Sequence, residues 1–149
     1  MTRAERAAEN FLSGCNCAQS VLLAFSDETG LDDATAMRIA SGFGGGMARM
    51  REVCGAVSGM FMAAGLIFGR DDVSHEKKTA QYLRLQTLAA QFREKNGSLL
   101  CRELLAGVKD DGSPLLARRT PEYYAERPCA RLVAEAAQIL EAEIANAKR

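Results

Sequence analysis

Val53-Cys-Gly-Ala-Val-Ser-Gly-Met-Phe-Met-Ala-Ala-Gly-Leu-Ile-Phe68 carries no charged residue and is bounded by Glu52 before it and Gly69-Arg70 after it. As a helix its sixteen residues reach roughly 24 Å, short of the about 30 Å of a bilayer core, so the run reads as a buried central helix and not as a membrane span. Gly55, Gly59 and Gly65 each cost about 1 kcal/mol against Ala inside a helix, and something must offset that. Gly55, Gly59 and Ala63 recur every four residues as a stripe of small side chains, which lets another backbone approach closely. Tight helix–helix packing is favoured over a cofactor groove. Met47, Met50, Met60 and Met62 read as adaptable core filler.

Outward from this run the chain is helical in pattern, with no convincing strand. Arg3 to Leu12 places Ala4, Ala7, Ala8 and Phe11 on one face. Asn16, with Gln19 three residues on, can form a capping box that puts Cys17 at the first position of the next helix. Asp32 or Asp33 starts a helix through Met37, Ile39 and Ala40. Asp72 or Ser74 starts a long amphipathic one through Tyr82, Leu85, Leu88 and Phe92, closed by Asn96-Gly97. Ser98 can cap a successor that holds Cys101 in its first turn. Lys109 to Pro114 is a turn-rich loop and Pro121 to Tyr124 a short helical turn. Pro128 suits the first position of a last helix, beside Cys129 and followed by Leu132, Val133, Ala136, Ile139 and Leu140 on one face.

At 149 residues and 48% hydrophobic, the chain fits one domain with a sizeable core. Nineteen basic residues balance nineteen acidic ones, so no overall field draws in nucleic acid or an anionic membrane. The mixed charge of Met1-Thr-Arg-Ala-Glu-Arg6 differs from a secretory leader, and the expected location is the cytoplasm. Thiols there are normally reduced. Five cysteines in that setting read as reactive, metal-ligating or plain core residues and not as a disulfide framework.

Cys17, Cys54, Cys101 and Cys129 each fall where the first turn of a different helix is expected. Unsatisfied amides and the partial positive charge at such a position favour the thiolate, the form that attacks disulfides and binds metals. No Cys-x-x-Cys pair is present, and the single histidine, His75, sits among Ser74, Glu76, Lys77 and Lys78 as an exposed helix-face residue. Gly44-Gly45-Gly46, followed by Arg49 and Arg51, could hold an anion or a cofactor phosphate with backbone amides and guanidinium groups. A bend between helices is an equal alternative. The preferred role for Arg49 and Arg51 is to stabilise a thiolate at Cys54.

Asn16-Cys17-Ala18-Gln19, Gly44-Gly45-Gly46-Met47, Val53-Cys54-Gly-Ala-Val-Ser-Gly59, Cys101-Arg-Glu-Leu104 and Cys129-Ala-Arg-Leu-Val133 form an ordered set spanning nearly the whole chain. In that order they resemble the C_GCAxxG_C_C family, whose redox-active label is itself drawn from its cysteines. The resemblance implies that Cys17, Cys54, Cys101 and Cys129 are the signature cysteines and that Cys15 is an extra, able to replace Cys17 in a disulfide. Four cysteines permit three pairings.

The expected fold is all-α, a compact multi-helix domain packed around a central Gly/Ala-rich apolar helix at about residues 51–69, with residues 1–149 as one helical four-cysteine domain. The leading functional expectation is thiol/disulfide exchange or electron transfer with an unidentified redox partner, as in a thiol oxidoreductase. Cys54 would be the low-pKa thiolate and another signature cysteine would resolve it. The first alternative is a zinc or iron–sulfur site on Cys17, Cys54, Cys101 and Cys129. The second is a non-catalytic ligand-binding or interaction module, working through the glycine-rich groove as a homodimer.

Overall fold

Side-chain caps decide where most of the helices begin. Thr2 and Glu5 form a capping box at the start of α1 (Arg3–Leu12), and Asn16 and Gln19 form another, at 2.8 and 2.9 Å, at the start of α2 (Cys17–Leu23). A short α3 (Ser26–Thr29) precedes α4 (Asp33–Ile39), which Asp32 caps. The central α5 (Gly55–Phe68) is followed by α6 (His75–Asn96), capped by Ser74 and closed by Gly97 in the left-handed conformation. Then come α7 (Cys101–Leu104), α8 (Pro121–Glu126) and α9 (Cys129–Ala147). This computed structural model describes residues 1–110 and 112–149 and is all-α. Among the described residues the extended pairing is confined to an isolated antiparallel bridge between Val53 and Leu100. Of the expected loop Lys109–Pro114, Asp111 lies outside the described residues.

Helix α1 lies along α9, α2 lies against α5, and α2, α5 and α9 meet one another. Phe11, Leu22, Met60, Leu88, Phe92, Leu132 and Leu140 are wholly or almost wholly buried between them, each contributing about 1.5–3 kcal/mol of apolar burial. The small-residue stripe is where α5 meets α2. A Cβ added at Gly59 would stand 2.5 Å from the Ala18 carbonyl oxygen, and one at Gly55 would stand 2.9 Å from the Cys17 Cβ. Close helix contact offsets the low helix propensity of these two glycines; Gly65 faces open space.

Four expectations need correction. The central helix begins at Gly55 and not near residue 51, because Arg51 has a positive φ and residues 52–54 pair with residues 99–101. It is also only half enclosed. Ala56, Gly59, Met60, Ala63 and Ala64 form its buried stripe, whereas Leu66 is 48% exposed and Phe61, Met62 and Ile67 are half-buried. An apolar side chain on an outer face carries little penalty, so uniform hydrophobicity does not reveal which face is inside. Of the methionines taken as core filler, Met60 is fully buried and Met62 half-buried, but Met47 and Met50 are 40% and 62% exposed on the turn before α5. Pro128 is the cap of α9, which puts Cys129 at its first position. No helix among the described residues is long and apolar enough to cross a membrane.

Candidate functional site

Four helix starts point into one cavity of about 600 Å³, and Cys17, Cys54, Cys101 and Cys129 all line it. Cys17, Cys101 and Cys129 are the first residues of α2, α7 and α9, and Cys54 is the cap of α5. Each is between 4% and 8% exposed, and none of the five cysteines is in a disulfide. The bridge between Val53 and Leu100 aligns two of them: the Cys54 amide donates to the Leu99 carbonyl at 2.8 Å and the Cys101 amide to the Glu52 carbonyl at 2.6 Å. Sequence periodicity could not show this pairing, since two residues on each side are too few to alternate.

Glycines set how closely the cysteines pack. Gly55 lies against Cys17, and a Cβ at Gly46 would come 2.6 Å from the Cys101 Cβ. Gly45, Gly46, Met47, Ala48 and Arg49 all have positive φ, as does Arg51, so the segment makes a left-handed turn. Four of these six residues are not glycine, and each costs about 1–2 kcal/mol in that conformation. Backbone hydrogen bonds hold it: Arg49 to Gly44, Arg51 to Gly45 and Glu52 to Gly46, at 3.0, 3.1 and 2.9 Å. Asp110 holds it from across the chain, with one carboxylate oxygen 2.9 Å from Arg49 Nη2 and the other 3.1 Å from Arg51 Nε. Strain maintained in this way gathers where a site needs a fixed backbone. Gly44, Gly45, Gly46, Arg49 and Arg51 all line the cavity.

The arginines do not serve Cys54. Arg49 Nε donates to the Ser113 carbonyl at 2.8 Å, and Arg51 Nη1 lies 3.6 Å from the Cys101 sulfur. Because residues 52–54 pair with residues 99–101 and the Arg51 carbonyl accepts from the Arg102 amide at 3.4 Å, Arg51 is carried to the Cys101 side of the bridge. Burial pushes the Cys54 thiol up to about 12, although the amides of Ala56 and Val57 favour its thiolate. Cys54 as the low-pKa thiolate is therefore corrected: desolvation outweighs the helix start. Burial also raises Cys101, against the opposing effect of Arg51.

Cys129 goes the other way. A hydrogen bond with Cys17 is the largest influence holding its thiol below the ordinary range, and the positive charges of Arg127, Arg119 and Arg51 add to it against burial. The same hydrogen bond, with burial behind it, raises Cys17 well above the ordinary range. Arg119 is fixed by bonds to the carbonyls of Phe11 and Cys15 at 2.7 and 2.8 Å. Arg127 lies over the Tyr123 ring at 4.4 Å and makes no hydrogen bond among the described residues.

Sequence reasoning missed Arg119, Arg127 and Asp110. For Arg127 a signal was present, since it stands two residues before Cys129 at the helix start. For the other two, which act over separations of about a hundred and about sixty residues, there was none. Cys15 is outside the cavity lining, half-buried, with its sulfur 3.9 Å from the Met37 sulfur. His75 is exposed. Among the described residues no three Cys, His, Asp or Glu side chains come close enough together to hold a metal ion, so a four-thiolate centre would require the helix starts to draw inward.

A family model described as "Putative redox-active protein (C_GCAxxG_C_C)" matches residues 15–143. No curated protein and no solved structure matches the chain.

Proposed function

The chain belongs to the C_GCAxxG_C_C family, and from that premise we propose that it is a dithiol redox protein in which Cys129 is the attacking thiolate and Cys17 the resolving thiol. The observation that carries this is that Cys17 and Cys129, the first residues of α2 and α9, line one cavity together with the guanidinium groups of Arg51, Arg119 and Arg127. A thiolate beside a protonated thiol has the arrangement that disulfide exchange needs. In the reaction Cys129 attacks a disulfide sulfur of the partner, forming a mixed disulfide and expelling one partner thiolate. Cys17 then attacks the Cys129 sulfur, breaking the mixed disulfide, and its proton passes to the second partner sulfur as that leaves as a thiolate. The protein pair loses two electrons and the partner disulfide gains them. A reducing compartment such as the cytoplasm would keep the pair ready.

Cys54 and Cys101, joined by the bridge and raised by burial, are the wall of the cavity in this reading. The family's redox label is also compatible with a metal or cluster. That no three of these thiols come close enough together to hold a metal among the described residues favours the dithiol. Mild oxidation of the reduced protein, followed by non-reducing peptide mapping, tests it. A Cys17–Cys129 disulfide formed reversibly is expected. Metal bound at one per chain in protein purified without oxygen, or a disulfide that leaves Cys129 out, would overturn it.

A further inference from the structure

The cavity's charge points to its substrate. Four arginines line it, Arg49, Arg51, Arg119 and Arg127, and no Asp or Glu does among the described residues. Asp110 neutralises part of the charge of Arg49 and Arg51 from outside the lining. Arg119 and Arg127 have no carboxylate partner among the described residues: the first is bonded to two backbone carbonyls, the second lies over an aromatic ring. These two are the larger of the three guanidinium influences on Cys129, Arg51 being the third. A half-buried charge without a counter-ion loses part of its hydration, and an anion entering the cavity offsets that loss. At about 600 Å³ the space has the volume of a small-molecule site and not of a groove for a folded protein.

We propose that the substrate is a low-molecular-weight disulfide carrying negative charge, its carboxylates received by Arg127 and Arg119 while Cys129 meets its sulfur. This rests on the Cys17–Cys129 dithiol. One substrate thiolate leaves when Cys129 forms the mixed disulfide. The other leaves, with the proton from Cys17, when the internal disulfide closes. The Cys17–Cys129 pair is oxidised by two electrons and the substrate is reduced to two thiols.

The test uses the full-length reduced protein and three aliphatic disulfides of similar intrinsic reactivity: dithiodipropionate, a dianion; bis(2-hydroxyethyl) disulfide, neutral; and cystamine, a dication. Rates of mixed-disulfide formation at Cys129 are read by peptide mass and divided by the rates for a small uncharged thiol such as N-acetylcysteinamide. The dianion is expected to exceed the dication by about tenfold or more, with the neutral disulfide between them. Arg127→Gln should shrink that ratio. The ratio is informative because a change in thiolate fraction slows all three reagents alike. Equal normalised rates, a preference for cystamine, or a ratio unmoved by Arg127→Gln would overturn the proposal while leaving the dithiol intact. Failure of all three to react at Cys129, with the thiols shown to be reduced, would overturn both.

Discussion

Cys54 and Cys129 occupy nearly the same local position and meet opposite fates. Both stand at the start of a long helix, where free amides and the helix dipole favour a thiolate. Cys54 sits under the contact between α2 and α5, where glycines bring the backbones together, and burial drives its thiol up to about 12. Cys129 is nearly as buried, yet it has Cys17 as a hydrogen-bond partner and arginines from the loop before α9, and its thiol is held down. A helix start is thus a small bias. Neighbouring donors and cations decide whether a buried thiol ionises.

The contrast breaks most visibly under substitution. Cys129→Ser should slow reaction with a disulfide reagent at the cavity by about 100-fold or more, whereas Cys54→Ser should leave it within a few-fold; stopped-flow thiol kinetics checks both. Next in size is the packing that silences Cys54. Gly59→Ala would force a methyl against the Ala18 carbonyl and should cost about 1–3 kcal/mol or more in urea unfolding, with faster alkylation of Cys54 as α5 lifts from α2.

A third effect appears at alkaline pH. In the unfolded chain Cys54 ionises near about 8.5, whereas in the fold it stays protonated until about 12, so the folded state binds more protons between these values. Stability from this group is fully present below the lower value and falls as pH rises, by up to about 1.4 kcal/mol per pH unit. Cys54→Ser should flatten the decline of denaturation midpoint with pH through that window. The smallest effect sharpens the other side. Arg127→Gln removes one of the charges favouring the Cys129 thiolate, so the pH profile of its alkylation should move upward, and the profile of Cys54 should not move.

How far the sequence could be read follows from the same physics. Caps at Asn16, Asp32 and Ser74 and the terminator at Gly97 are local chemistry, and they mark helix boundaries that the structure has. The Gly55–Gly59–Ala63 stripe announces a close helix neighbour because a glycine in a helix needs a reason; the two glycines meet α2. The enclosed face of α5 was not legible, since every face of it is apolar. In the site, the helix-start positions of the four cysteines follow from local signals. Which thiols pair does not. It depends on the Val53–Leu100 bridge, on Asp110 reaching Arg49 and Arg51, and on Arg119 crossing to the carbonyls of Phe11 and Cys15. All are long-range contacts with no periodic signature, and in the proposed reading the reactive position is Cys129 and not Cys54.

The most direct test is limited alkylation of the fully reduced protein with iodoacetamide from about pH 6 to about pH 10, with each cysteine followed separately by peptide mass. The account predicts that Cys129 is labelled first, with a midpoint below that of an ordinary thiol, and that Cys54 stays unlabelled to the top of the range. Early labelling of Cys54, or a Cys129 midpoint at or above that of a free cysteine, would contradict it.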